Sequence, residues 1–161
     1  MNMTMSSTRT AKIGKARPNI RDAKPVAEAL AGVLNDTYAL IIKTHTHHWN
    51  VTGPLFYAVH SLTEEQYTDM FTAADVIAER IRALGKMASV RVSDTEDSAL
   101  DALSAVEMVK DLLSDHEDLA NRMRDLVELS ESEKDPATAD LATERVAFHE
   151  KSAWMLRSLV G

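Results

Sequence analysis

The sequence predicts an all-α fold: a four-helix bundle with one long crossover carrying a short extra helix. Three observations lead there. Only five glycines and four prolines occur in 161 residues, and the chain is rich in Ala, Leu, Met and Glu, which favour helix. Four long stretches repeat apolar residues at three- and four-residue steps, the mark of an amphipathic helix. The links between them alternate tight, long and tight, the middle one about twenty residues, enough to run the length of a bundle.

The first helix follows a polar N-terminal segment and carries Val26, Leu30, Val33, Leu34, Tyr38, Ile41, His45 and His48 on one stripe. Gly53-Pro54 stops it. The second is expected over 55–84, with Val59, Leu62, Tyr67, Met70, Ala74, Ile77, Ile81 and Leu84 inward and Gly85 as its stop. The crossover is polar at 93–97 and is expected to hold a short helix around 98–103. Ser104-Ala105-Val106-Glu107 reads as a capping box opening the third helix. Its inner face is expected to be Val106, Val109, Leu113, His116, Ala120, Met123 and Val127, with a turn at 130–134. Asp135-Pro136 then supplies an N-cap and a proline at the first helical position of the fourth helix.

Composition removes several classes of function. Without cysteine there are no disulfides, Zn-thiolate sites or thiol catalysis. Apolar runs such as Ala39-Leu40-Ile41-Ile42 are far too short for a membrane span or a secretory signal, so a cytoplasmic protein is the expectation. Charge is unevenly spread. Residues 1–24 hold six basic residues, among them Arg9, Lys12, Lys15 and Arg17, against Asp22 alone. Residues 25–161 hold twelve basic and twenty-four acidic residues. The division expected is a flexible cationic arm, 1–24, on an acidic bundle, 25–161. The arm suits sequence-independent, salt-sensitive contact with DNA phosphates and a nucleoid-associated location; a solvated solubility tail is the plainer reading, and a transit peptide ranks lower.

The chemistry gathers around the first link. His48 precedes the Gly-Pro turn by five residues and His60 follows it by six, so an antiparallel hairpin brings both to one height. Asp75 and Glu79 are four apart, about 40° around a helix, and can reach one metal together. Two imidazoles and two carboxylates suit iron or zinc. Yet His60 and Asp75 are separated by about 22 Å along one straight helix. A twofold axis across the second helix near residue 68 would bring His60 of one copy between Asp75 and Glu79 of another, giving two equivalent sites per dimer.

The stretch His48-Trp49-Asn50-Val51-Thr52-Gly53-Pro54, then His60, then Asp75-x-x-x-Glu79-Arg80, resembles the Dps family, the miniferritins known as DNA-binding proteins from starved cells. The resemblance covers roughly 25–160, with 48–85 as its most specific part. It implies a ferritin-like bundle assembled as a hollow dodecamer that stores ferric mineral, and oxidation of Fe2+, with peroxide preferred over dioxygen. By the same resemblance His48, His60, Asp75 and Glu79 match the intersubunit ferroxidase ligands. Glu64 falls where the family commonly has an Asp serving a second iron. Trp49 matches a tryptophan regarded as an electron donor beside the site, and Asp140 lies near the region lining iron-entry pores. Zinc is a competing ion for such a ligand set.

Blander roles are expected elsewhere. His45 and His47 read as surface or hairpin packing, and His116 and His149 as structural. Met70, Met87, Met108, Met123 and Met155 read as core or gap-filling residues. Arg80 reads as a partner for a carboxylate in the interface. The rival functions are a nucleoid-coating DNA-binding protein with iron chemistry secondary, a larger ferritin with paired E-x-x-H ligands inside one bundle, and a zinc store.

Overall fold

The computed structural model describes residues 19–91 and 103–161, and these form four long helices: α1 (Ala23–Asn50), α2 (Phe56–Ala83), α3 (Ala105–Ser132) and α4 (Pro136–Val160). Two tight hairpins, α1–α2 and α3–α4, pack side by side. The fold is the ferritin-like all-α bundle with one long crossover. The short helix expected around 98–103 and the basic residues Arg9, Lys12, Lys15 and Arg17 lie outside the described residues, apart from non-helical Leu103.

Three of the helices, α1, α3 and α4, begin where a side chain satisfies a free backbone N–H group, whereas α2 starts from the Gly53 turn at Leu55 with no side-chain cap. Asp22 accepts from Lys24 N at 2.9 Å, so α1 opens at Ala23 rather than at residue 25, with Pro25 tolerated in the first turn. The segment just before it is docked: Ile20 packs against the core and Arg21 N donates to Glu133 O at 2.9 Å. Ser104 and Glu107 form the expected reciprocal capping box, and those hydrogen bonds hold the Glu107 carboxyl below its usual range. Asp135 caps α4 through Thr138 N at 3.1 Å.

The Asp135 cap also locks the two hairpins together. Asp135 is 1% exposed, and Arg80, near the end of α2, donates to it at 2.6 Å and to Thr138 Oγ1 at 2.9 Å. Burial opposes ionisation of Asp135, but the hydrogen bonds from Arg80 and Thr138 outweigh it and lower its pKa. Arg80 is therefore committed within its own chain. The expectation of an interface partner is corrected.

The core runs the length of the bundle through Leu30, Leu34, Met70, Ile77, Ile81, Leu112, Met123, Leu126 and Leu156. Truncating one such leucine to alanine typically costs about 2–5 kcal/mol. On α3 the buried face is Met108, Val109, Leu112, His116, Leu119, Ala120, Met123 and Leu126. Val106 is instead 40% exposed, while Leu113 and Val127 sit at the margin. The stripe is thus turned by about one residue from the one expected, because Leu112-Leu113 and Leu126-Val127 offer two adjacent apolar faces and packing on α4 selects one. α3 continues to Ser132, so the turn is 133–135 rather than 130–134, and Ser130 is buried with its hydroxyl on Leu126 O at 2.6 Å. Met87, expected in the core, is 78% exposed.

Candidate metal centre

His48 lies in the last turn of α1 and His60 is the fifth residue of α2, and the hairpin turn stacks their rings at 3.7 Å between centroids and 18° between planes. The turn needs a glycine: Gly53 has φ +85°, a conformation closed to most side chains, and Phe56 N closes it on Gly53 O at 3.0 Å. The two histidines then hold each other reciprocally. His48 Nδ1 donates to His60 O at 2.8 Å, and His60 Nδ1 donates to His48 O at 2.9 Å. The second bond satisfies a carbonyl in the last turn of α1 that has no partner within the helix.

These bonds fix the tautomer. A carbonyl can only accept, so both Nδ1 atoms carry the proton, and in the neutral rings the lone pair lies on Nε2. Two parallel imidazoles presenting Nε2 lone pairs are a preformed two-nitrogen ligand set, oriented by backbone through the opposite ring nitrogen as metal-binding histidines commonly are. Thr63 supports them from below. Its hydroxyl donates to Val59 O at 2.7 Å and lies 3.2 Å from His48 Nδ1.

Aromatic rings wall the pair. Phe56 stacks on His60 with centroids 5.0 Å apart, and Tyr67 meets His48 edge-on at 5.3 Å. His45 lies between Trp49 at 4.1 Å and Tyr67 at 4.3 Å. Trp49 remains 63% exposed. His47 faces the other way, into the bundle, 1% exposed, with Nε2 2.9 Å from Asp111. That bond, with the Lys43 ion pair, holds the Asp111 carboxyl below its usual range despite partial burial. His47 is a packing residue of the α1–α3 contact.

The carboxylates stand apart. Glu64, Asp75 and Glu79 are all exposed on α2. Phe71 and Val76, exposed at 60% and 48%, lie on the same side of the helix by the three- and four-residue rule. Among the described residues of one chain, no three His, Asp or Glu side chains converge as a metal-binding group. Asp140 is exposed on α4. Periodicity had not marked Thr63, Phe56 or the Tyr67–His45 stack as parts of the site; the one available signal was Thr63, a polar residue in the apolar stripe of α2.

The ferritin-like domain family matches residues 27–161. A DNA protection during starvation protein of Brevibacillus brevis is 33% identical, covering 84% of this chain and 97% of its own. The chain belongs to the Dps family of ferritin-like proteins. A low temperature-induced protein of Nostoc sp. (strain PCC 7120) is 40% identical over 134 residues, 79% of this chain and 75% of its own. Among solved structures, a Dps protein from Bacillus brevis superposes with TM-score 0.78 at 28% identity over 86% of this chain and 97% of its own. Antigen TpF1 from Treponema pallidum gives 0.80 at 26% over 90% and 99%. A Dps protein from Vibrio cholerae, described as a ferritin-like diiron-carboxylate protein, gives 0.71 at 26% over 86% and 91%.

Proposed function

We propose that this Dps-family chain oxidises Fe2+ at sites shared by two copies, with hydrogen peroxide as oxidant, and stores the ferric product inside a hollow dodecamer. The observation that carries the reading is the reciprocal His48–His60 pair, whose bonded Nδ1 atoms leave both Nε2 atoms as ligands. Asp75 and Glu79 of a second copy complete the set, and the exposed Phe71 and Val76 beside them give that copy apolar surface to cover. The carboxylates hold a hard cation and favour its ferric state over its ferrous one, while neutral imidazoles leave the net charge low enough for an oxidant to approach. Glu64 of the histidine-bearing copy serves a second iron. Two ferrous ions each give one electron to peroxide, which takes up two protons and leaves as two waters.

Trp49, at the open edge of the site, is the residue placed to supply an electron when only one iron is present. Asp140 is the proposed iron-entry residue, and zinc competes for the same ligands. Removing Fe2+ and peroxide together protects DNA chemically, in keeping with the name of the Brevibacillus relative. The site of action is the cytoplasm. The test is Fe2+ oxidation by purified protein with peroxide and with dioxygen as alternative oxidants, with sizing of the same preparation. Rapid peroxide-dependent oxidation by a twelve-subunit particle is expected; no oxidation above that of free Fe2+ rejects the proposal.

A second reading rests on the charge of residues 1–24. Twelve cationic arms would bind DNA by avidity and release counterions on binding, coating the nucleoid with iron chemistry secondary. Deleting residues 1–18 should then weaken DNA binding, and its salt dependence, without slowing iron oxidation. Equal DNA binding by both forms would leave the arm a solubility tail.

A further inference from the structure

Four buried polar side chains, one from each helix, occupy a single level of the bundle. They are Thr44 (0% exposed) on α1, Gln66 (2%) on α2, His116 (0%) on α3 and His149 (0%) on α4. Contacts between helices set their common height. Lys43 reaches both Asp111 and Asp115, which places Thr44 beside the turn of α3 that holds His116. His45 stacks on Tyr67, which puts Thr44 and Gln66, each one residue earlier and each buried, at similar height in the α1–α2 hairpin. Asp69 pairs with Arg145 at 2.6 Å across antiparallel helices, which brings Gln66 level with His149, and His149 meets His116 directly.

These groups do not satisfy one another. Among the described residues, Thr44 Oγ1, Gln66 Oε1 and Nε2, His116 Nε2 and His149 Nε2 are all buried without a hydrogen-bond partner. The protonation states are constrained. Burial pushes His116 down to about 3 and His149, also facing His116 and Arg145, down to about 2, so both rings are neutral. Their Nδ1 atoms lie 2.9 Å apart, which requires one to donate and the other to accept. One Nε2 is therefore a bare acceptor and the other an N–H donor. With an amide and a hydroxyl added, the layer offers donors and acceptors in near balance, and no carboxylate.

We propose that this layer is an internal water-binding site, holding a small cluster of water molecules among the four helices. Water alone both donates and accepts, and a buried water commonly makes about three hydrogen bonds to groups such as these. A metal cation fits poorly: it would find one imidazole lone pair, neutral oxygens and an N–H pointing at it. The cluster also fixes the register of the helices, since a slip of one turn would press these polar groups against leucine and methionine.

The test uses the full chain in its assembled state. Thr44→Val and Gln66→Met keep shape while removing a polar group. In a hydrated layer each substitution deprives the cluster of a partner, and the melting temperature should fall by about 2–4 °C. In a dry layer each removes an unpaired buried group, and the melting temperature should rise. A crystal structure of the wild-type protein should show ordered water within hydrogen-bond distance of Gln66 and of at least one of the two Nε2 atoms. Empty density with a raised melting temperature overturns the proposal. So does an anomalous peak in the layer after soaking with Co2+, which would make it a metal site.

Discussion

The bundle contains two histidine pairs, and they differ in everything except residue type. His48 and His60 join α1 to α2, and His116 and His149 join α3 to α4. In the first pair each Nδ1 donates to the other residue's carbonyl, so both Nε2 atoms keep lone pairs near the surface. In the second the Nδ1 atoms bond each other, only one Nε2 is a bare acceptor, and both rings are completely buried. What separates the proposed ligand pair from the buried pair is what the inner nitrogen bonds to. Neighbouring backbone geometry decides that: the tight Gly53 turn brings the His48 and His60 carbonyls within reach of the opposite rings, whereas His116 and His149 sit mid-helix and their Nδ1 atoms meet each other.

The largest expected effect comes from exchanging damage between the pairs. His48→Ala with His60→Ala should slow Fe2+ oxidation by at least about 100-fold, given that losing even a supporting group can cost a metal site 10–100-fold. The particle should stay assembled. His116→Ala with His149→Ala should instead destabilise by roughly 3–5 kcal/mol per ring, as for other large buried rings, while whatever protein remains folded oxidises iron normally. Stopped-flow oxidation and thermal melting on both variants read this directly, and a rate loss in the second variant without unfolding would erase the distinction.

Acid sharpens the contrast. Because His116 and His149 have pKa values near 3 and 2 in the folded chain and an ordinary value of 6.5 unfolded, the unfolded state binds more protons between those limits. Their contribution is therefore fully present above about pH 6.5 and is lost as pH falls toward 3. Two such groups make the loss several kcal/mol by pH 4.5, at 1.36 kcal/mol per proton per pH unit. Melting curves from pH 7.5 to 4.5 should show the decline, and His116→Leu with His149→Leu should flatten it. An equal slope in that variant would assign the acid sensitivity elsewhere.

Next in size is the hairpin lock. Arg80→Ala strands Asp135 nearly buried and unpaired, and should lower stability by about 3 kcal/mol. The oxidation rate of folded protein should hold, because Arg80 faces α4 and not the His48–His60 rings. The smallest expected effect on stability is that of Gly53→Ala. Forcing alanine to φ +85° should cost about 1–2 kcal/mol, yet shifting either imidazole by 1 Å can cost 100-fold in rate. A variant that melts almost normally and oxidises slowly is the expected result. Full activity would mean that the reciprocal carbonyl bonds position the rings without the turn.

Much of this was legible from residues alone. The Ser104–Glu107 box, the Asp135-Pro136 start and the pairing of His48 with His60 each follow from short-range rules that the chain obeys locally. The α3 stripe did not, because Leu112 and Leu113 are equally apolar and only contact with α4 chooses between them. His47 was obscure for a similar reason: adjacent to His48, it points about 100° away, and nothing local announces that Asp111, 64 residues on, is waiting there. The tautomers of all four paired histidines were beyond sequence, since they depend on which acceptor reaches each Nδ1. The polar layer was half visible, as Thr44 and Gln66 interrupt apolar stripes, but its level needed the register of four helices.

If one copy's histidines and another copy's carboxylates make one metal site, mixing subunits will restore it. A chain carrying His48→Ala and His60→Ala would be coassembled with a chain carrying Asp75→Ala and Glu79→Ala, and mixed particles isolated by two different tags. Each parent assembly should be inactive. Pairing the two mutant chains leaves one wild-type site and one site lacking all four ligands in each mixed dimer, so mixed particles should regain Fe2+ oxidation in proportion to the mixed dimers they contain. Confirmed mixed particles that stay as inactive as their parents would show that the histidines and carboxylates do not share a metal.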